Sequence, residues 1–195
     1  MARAGDPDEL RERILTGYRA GKPFTPYVPT IEIPSRMGRA LDFGCGVGRN
    51  FPYLTSIAHQ VVGFDLPPMI EQCRTLCPQP VAQLTSDWTE VCGSRYDLVF
   101  ASLVLQHIET DACRTYLHDF ARIAPVTYLL TRVHSDFDVN VLALIADTGL
   151  FDPSDCIEVD HDDRTHQLRV LGTRPFDQVR GLKDGGHYEV LLRSR

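Results

Sequence analysis

The sequence predicts an α/β protein, a doubly wound and mostly parallel sheet with helices on both faces, and three observations carry that prediction. The first is 39–50, RALDFGCGVGRN, where a short apolar run breaks into Gly44-Cys45-Gly46-Val47-Gly48 before helix-compatible residues resume. The second is Val61-Val62-Gly63-Phe64-Asp65, a buried strand that also ends in an acid. The third is the alternation of such runs with amphipathic stretches as far as Val133, the pattern of strand and crossover helix that builds parallel sheets. With 195 residues, a single domain large enough for a substantial core is expected.

In chain order, Asp6, Pro7 and Glu9 mark a helix start as N-cap, first-turn proline and capping-box acid, and the helix is expected to run to about 19. Gly21, Pro23, Pro26, Pro29 and Pro34 then rule out continuous helix or central strand. Residues 22–36 therefore read as an extended connector carrying Phe24 and Tyr27, and residues 1–38 as a helix and connector that fold over the site as a lid. Residues 39–195 form the main domain.

In the glycine turn, residues without a Cβ reach left-handed dihedrals and let a ligand approach the backbone. The following helix, expected over 50–58, turns its unpaired N–H groups toward the same place. The spacing is informative. In G-x-G-x-x-G, with Gly44 and Gly46 as the first two members, the third falls at position 49, which is Arg49. The pattern present is instead Asp42-x-Gly44-x-Gly46-x-Gly48. After the second strand, an acid such as Asp65 suits the two hydroxyls of a ribose, or it caps the helix that Pro67-Pro68 opens and that extends to about Cys77.

A third strand is expected over 80–84, followed by Thr85-Ser86-Asp87-Trp88. Asp87 offers a hydrogen-bond acceptor and Trp88 a flat stacking surface, or the two are a surface acid beside a packed ring. Residues 96–101 form the fourth strand and lead into Ser102-Leu103-Val104-Leu105-Gln106-His107-Ile108. An amphipathic helix follows at 111–123, a fifth strand at 126–133, and a helix at 140–148 stopped by Gly149. The last strands are 156–159 and 187–192, the latter with Tyr188, Val190 and Leu192 on one face. Between them 160–186 is polar and punctuated, with an additional strand at 167–171 and a short helix at 175–179. Asp160, His161, Asp162, Asp163 and His166 cluster there; the run is read as a solvated loop, and no metal is predicted.

Composition narrows the function. A formal net charge of −6 offers no broad attraction to nucleic acid, which is disfavoured as a partner. No stretch reaches the roughly 18 apolar residues of a membrane span. The N-terminal stretch is charged and lacks an apolar signal core, so a cytoplasmic protein is expected. The six cysteines show no C-x-x-C pair, and buried reduced thiols are the default. Cys73 and Cys77 could share a helix face, but two thiols are half a zinc site.

Taken together, 42–48, Asp65, Asp87-Trp88 and 102–108 resemble the class I S-adenosylmethionine-dependent methyltransferases over roughly 39–133. The resemblance implies a Rossmann-like, seven-stranded, three-layer α/β/α sheet with an antiparallel last strand, and S-adenosyl-L-methionine as cofactor. It implies cofactor contacts from Asp42, Gly44, Cys45, Gly46 and Gly48 of the turn, from Asp65 and Leu66, from Asp87 and Trp88, and from Ser102. His107 falls where the family's chain faces the methyl acceptor; it either takes a proton there or hydrogen-bonds backbone or cofactor carboxylate. DNA-adenine and protein-glutamine enzymes carry an Asn- or Asp-Pro-Pro-aromatic sequence after the fourth strand, where this chain reads Ala101-Ser102-Leu103-Val104. Cys113 lacks the Pro-Cys or Thr-Cys context of cytosine-C5 enzymes. A small-molecule acceptor is expected. The alternatives are a nicotinamide-dependent reductase, against which Arg49 argues, and a cofactor-binding subunit without activity of its own.

Overall fold

The structure, a computed structural model, describes residues 27–77, 81–134, 139–161, 167–182 and 184–195. The helix expected over 6–19, Phe24, and Asp162, Asp163 and His166 lie outside them. The elements are β1 (Met37–Phe43), α1 (Phe51–Ile57), β2 (Ala58–Phe64), α2 (Pro67–Leu76), β3 (Gln83–Thr85), α3 (Trp88–Cys92), β4 (Leu98–Ser102), α4 (Thr110–Ile123), β5 (Val126–Arg132), α5 (Val141–Thr148), β6 (Phe151–Pro153), β7 (Cys156–His161), β8 (Leu168–Arg174) and β9 (His187–Ser194). Two 3-10 turns, Leu105–His107 and Phe176–Gly181, complete them.

One sheet runs β3-β2-β1-β4-β5-β9-β7-β8, with β6 also on β9. The first five strands are parallel, so the ends of β1, β2 and β4 come to one edge, where Phe43 pairs with Phe64 and with Ala101. β9 runs antiparallel between β5 and β7, as expected for the last strand. Side chains alternate between two cores. Leu41, Phe43, Val99 and Leu129 face α4 and α5, while Ala40, Leu98, Phe100 and Leu130 face α1 and α2. In β9, Tyr188, Val190 and Leu192 are all buried on the first of these faces.

The described residues form nine strands rather than the expected seven. β6 and β7 lie end to end on the outer edge of β9, and Ser154 interrupts them: its N–H donates to the Leu191 carbonyl at 2.7 Å and its hydroxyl accepts from Leu191 N–H at 3.1 Å. A side chain thus takes one backbone place in the ladder; the strand expected over 156–159 is β7, and β6 is an addition. β8 folds back antiparallel on β7, lengthening the extra strand expected over 167–171. β3 starts later than expected because its register is set by pairing Gln83 to Thr85 with Val62 to Phe64. Helix ends follow local chemistry: Asn140 accepts from Ala143 N–H to cap α5, and Gly149, at φ +63°, stops it.

Candidate active site at the C-terminal edge of the sheet

Between β1 and α1 the chain makes the glycine turn. Gly44 N–H and Cys45 N–H both donate to the Phe64 carbonyl, at 2.8 and 3.1 Å, so the turn is pinned to the end of β2. Gly44 has φ +72°, and a Cβ there would lie 2.8 Å from Val104 Cβ. Gly46, at φ +55°, differs: a Cβ would meet nothing within 4 Å. The turn therefore leans on Val104 at its root and faces open space at its tip. Directly after β2, Asp65 accepts from Gly46 N–H and from Leu66 N–H, each at 2.7 Å. These bonds orient the carboxylate at the turn and leave acceptor capacity on both oxygens.

Asp42, one residue before the end of β1, is fully buried, and neither of its carboxylate oxygens has a hydrogen-bond partner. Burial, and then the charge of Asp65, raise its pKa well above the usual carboxylate range, while the Asn50 amide works the other way. Two acids crowd this edge. A ligand carrying positive charge would relieve them, and an anionic one would add to the repulsion.

Asp87 caps α3, accepting from Thr89 N–H at 2.8 Å and Glu90 N–H at 3.3 Å. Trp88 packs among Phe43, Phe64, Tyr116 and Phe120, with Phe64 5.0 Å and Tyr116 4.9 Å away between ring centres. Its indole N–H donates to Asp119 at 2.9 Å. Both residues thus have structural partners, on the flank of the edge that the turn occupies. Leu66, 69% exposed, stands at the start of α2 beside Asp65.

On the other side, β4 ends in Ser102, whose buried hydroxyl has no partner. Leu103 follows at φ +56°, a left-handed backbone that a branched residue pays for in strain, and it donates to Leu130 O at 2.7 Å. That turn throws Val104 against Gly44. His107 ends the 3-10 turn at the surface, and partial burial of its ring lowers its pKa. The buried Gln106 amide lies 3.4 Å from His107 Nε2 and accepts from Thr131 at 3.4 Å. The amide nitrogen donates to Nε2 when that atom is unprotonated, so tautomer and amide orientation are linked.

Residues 42–48, Asp65, Leu66, Ser102 and the 102–107 segment gather at one edge, with Asp87 and Trp88 at its flank. The sequence reading had no place for Tyr116 and Asp119, which fix Trp88, or for Gln106 and Thr131 behind His107. Nor did it find Glu189, fully buried in β9, which accepts from Tyr128 OH at 2.6 Å and from Thr30 N–H at 3.0 Å and the Thr30 hydroxyl. An acid inside the apolar run HYEVLL was the available signal. Arg49 donates to Tyr27 OH at 3.0 Å and lies over its ring, so the connector docks beside the glycine turn. Among the described residues, no group of three His, Cys, Asp or Glu could hold a metal ion, and no helix is long and apolar enough to cross a membrane.

Sheet order, the glycine turn and the acids at the ends of β1 and β2 form the arrangement that the resemblance to class I S-adenosylmethionine-dependent methyltransferases implies. Residues 41–125 match the family model described as a methyltransferase domain. Solved structures share the fold at low identity. Magnesium protoporphyrin IX methyltransferase from Synechocystis, with bound S-adenosylmethionine, is 18% identical, with 83% of this chain and 71% of that one covered and a TM-score of 0.51. The N-methyltransferase NodS from Bradyrhizobium japonicum, in complex with S-adenosyl-L-homocysteine, is 11% identical, with 82% and 79% covered and a TM-score of 0.55. A complex of the Haloferax volcanii Trm112 methyltransferase activator with the putative methyltransferase gives 15% identity, 83% and 85% coverage and a TM-score of 0.57. No curated protein matches the chain in sequence.

Proposed function

We propose that the chain binds S-adenosyl-L-methionine along this edge and transfers its methyl group to a small molecule. The carrying observation is the fit of the turn to a cationic nucleoside: an open cradle at Gly46, the unpartnered Asp42 carboxylate near the end of β1 and the Asp65 carboxylate bonded to Gly46 N–H. When bound, the cofactor supplies a sulfonium methyl group already activated for displacement. The protein's own tasks are then binding, alignment and exclusion of water. Asp65 accepts from the ribose hydroxyls, with Leu66 against the base. Asp87 and Trp88 border the purine, and Ser102 offers its hydroxyl near the amino-acid part. Where the acceptor carries a proton, His107 takes it, its lowered pKa keeping the ring neutral near pH 7. The small-molecule acceptor is supported by the net charge of −6 and by likeness to an enzyme named for a porphyrin.

Incubating isotope-labelled cofactor with fractionated cell extract tests this reading. Label in a metabolite supports it; label in protein or RNA alone overturns the acceptor class. Asp65→Ala should weaken cofactor binding by about 1.5–3 kcal/mol, the loss of charge-assisted hydrogen bonds, and unchanged affinity in titration calorimetry would remove Asp65 from the site. The docked connector, through Tyr27 and Arg49, supports a lid role for the N-terminal segment. Removing residues 1–26 should lower turnover while circular dichroism shows the sheet intact; a fully active truncation contradicts the lid.

A further inference from the structure

Beneath the glycine turn three thiols cluster, two of them beside the Phe51 ring. Cys45 Sγ lies 3.1 Å from the place a Cβ on Gly63 would occupy, and the Phe51 ring 2.7 Å from it. Cys77 Sγ lies 2.7 Å from the corresponding place on Gly48, again beside Phe51, and 3.9 Å from the Gly48 carbonyl oxygen. Cys73, on α2, interacts with both of the other thiols. Cys73 and Cys77 also line one cavity of about 340 Å³, together with Arg74, Val81 and Leu84. The Arg74 guanidinium, held on the Leu84 carbonyl at 3.1 Å, adds positive charge there. Contacts from Cys45, then from Cys77, and the Arg74 charge hold the fully buried Cys73 thiol below its ordinary pKa against burial and the Asp65 charge. A half-buried thiol at a cavity, Cys77, with a second thiol beside it and a cation nearby, is the setting of a redox-active pair.

We propose that Cys73 and Cys77 form a reversible dithiol, oxidised by peroxides, that controls the cofactor turn resting on it. One thiolate attacks the peroxide O–O bond, giving a sulfenic acid and releasing hydroxide. The second thiol attacks that sulfur, forming the S–S bond and releasing water. In sum two thiols and one H₂O₂ give one disulfide and two waters. Cβ atoms four apart on a helix are about 5–6 Å apart, whereas a disulfide holds them at about 3.8 Å. Closing the bond draws in the last turn of α2, where Cys77 N–H donates to Cys73 O at 2.9 Å. It therefore pulls Cys77 from the Gly48 carbonyl and alters the turn.

The inference rests on the proposed cofactor site, and the test separates the two. The reduced full chain is treated with stoichiometric H₂O₂, its disulfides are mapped by non-reducing peptide mass spectrometry, and S-adenosylmethionine affinity is measured before and after. A Cys73–Cys77 bond, with affinity lowered at least about fivefold and restored by dithiothreitol, is expected. Cys77→Ser, and Cys77→Ala should the serine variant misfold, keeps its affinity under peroxide. Cys113→Ser remains sensitive. A bond through Cys45, no bond, or a bond without change in affinity overturns the proposal. A reduced chain that binds no cofactor defeats the proposed function instead, whatever the mapping shows.

Discussion

Gly44 and Gly46 share a left-handed backbone but not surroundings, so alanine at each separates a folding role from a ligand role. An L-residue in that conformation costs about 1–2 kcal/mol. At Gly46 that is the whole cost, because a Cβ meets nothing within 4 Å. At Gly44 the Cβ also runs into Val104, and overpacking adds about 1–3 kcal/mol. For a chain of this size 1 kcal/mol shifts Tm by roughly 2–4 °C. Gly46→Ala should thus melt about 2–8 °C below wild type, and Gly44→Ala about 4–20 °C below, for a loss of about 2–5 kcal/mol. Binding should rank them differently. If the cofactor approaches the Gly46 backbone, the new methyl enters its space, and the same 1–3 kcal/mol of overlap falls on the complex alone. Titration calorimetry should then show Kd rising by about 5- to 150-fold for Gly46→Ala. A folded Gly46→Ala protein with wild-type Kd would refute the placement of the cofactor over this turn.

Two further predictions concern titration. Asp42 holds its proton more tightly folded than unfolded, so its contribution to stability is full below its ordinary pKa of 3.8 and declines as pH rises toward the folded-state value. Asp42→Asn removes that decline: its Tm advantage over wild type should grow from pH 4 upward and level off, reaching about 2–4 °C per kcal/mol recovered, and a pH-independent difference would contradict the buried, unpartnered carboxylate. For His107→Gln, loss of base catalysis should cost about 10²–10⁴-fold in turnover and abolish an acid limb lying below the ordinary histidine value of 6.5; retention of both rate and limb would leave His107 a structural residue.

The parallel half of the molecule was legible because its signals are local. Glycines at Gly44 and Gly46 are demanded by backbone conformation, an acid after each of two apolar runs marks an edge, and Pro67-Pro68 opens a helix. The antiparallel half depends on pairings remote in sequence. That Ser154 would replace a backbone partner of Leu191 and separate β6 from β7 has no local signature. The carboxylate of Glu189 is tolerable in β9 because Tyr128 and Thr30, 61 and 159 positions away, supply donors to it. Asp87 and Trp88 illustrate the limit at the site: their types suit a purine, yet the capping of α3 and the bond to Asp119 depend on neighbours that only the fold brings near.

β9 follows every other strand in sequence but lies inside the sheet, between β5 and β7. Until it docks, β5 presents an open edge along a strand whose residues Val126 to Thr131 are all buried in the finished protein. β7 and β8 have only each other, and the Tyr128 hydroxyl and Thr30 lack the carboxylate that later receives them. Docking of β9 joins segments far apart in the chain, the kind of closure that slows folding. A chain stopped before His187 should keep its glycine turn and parallel strands yet associate through the uncovered β5 edge.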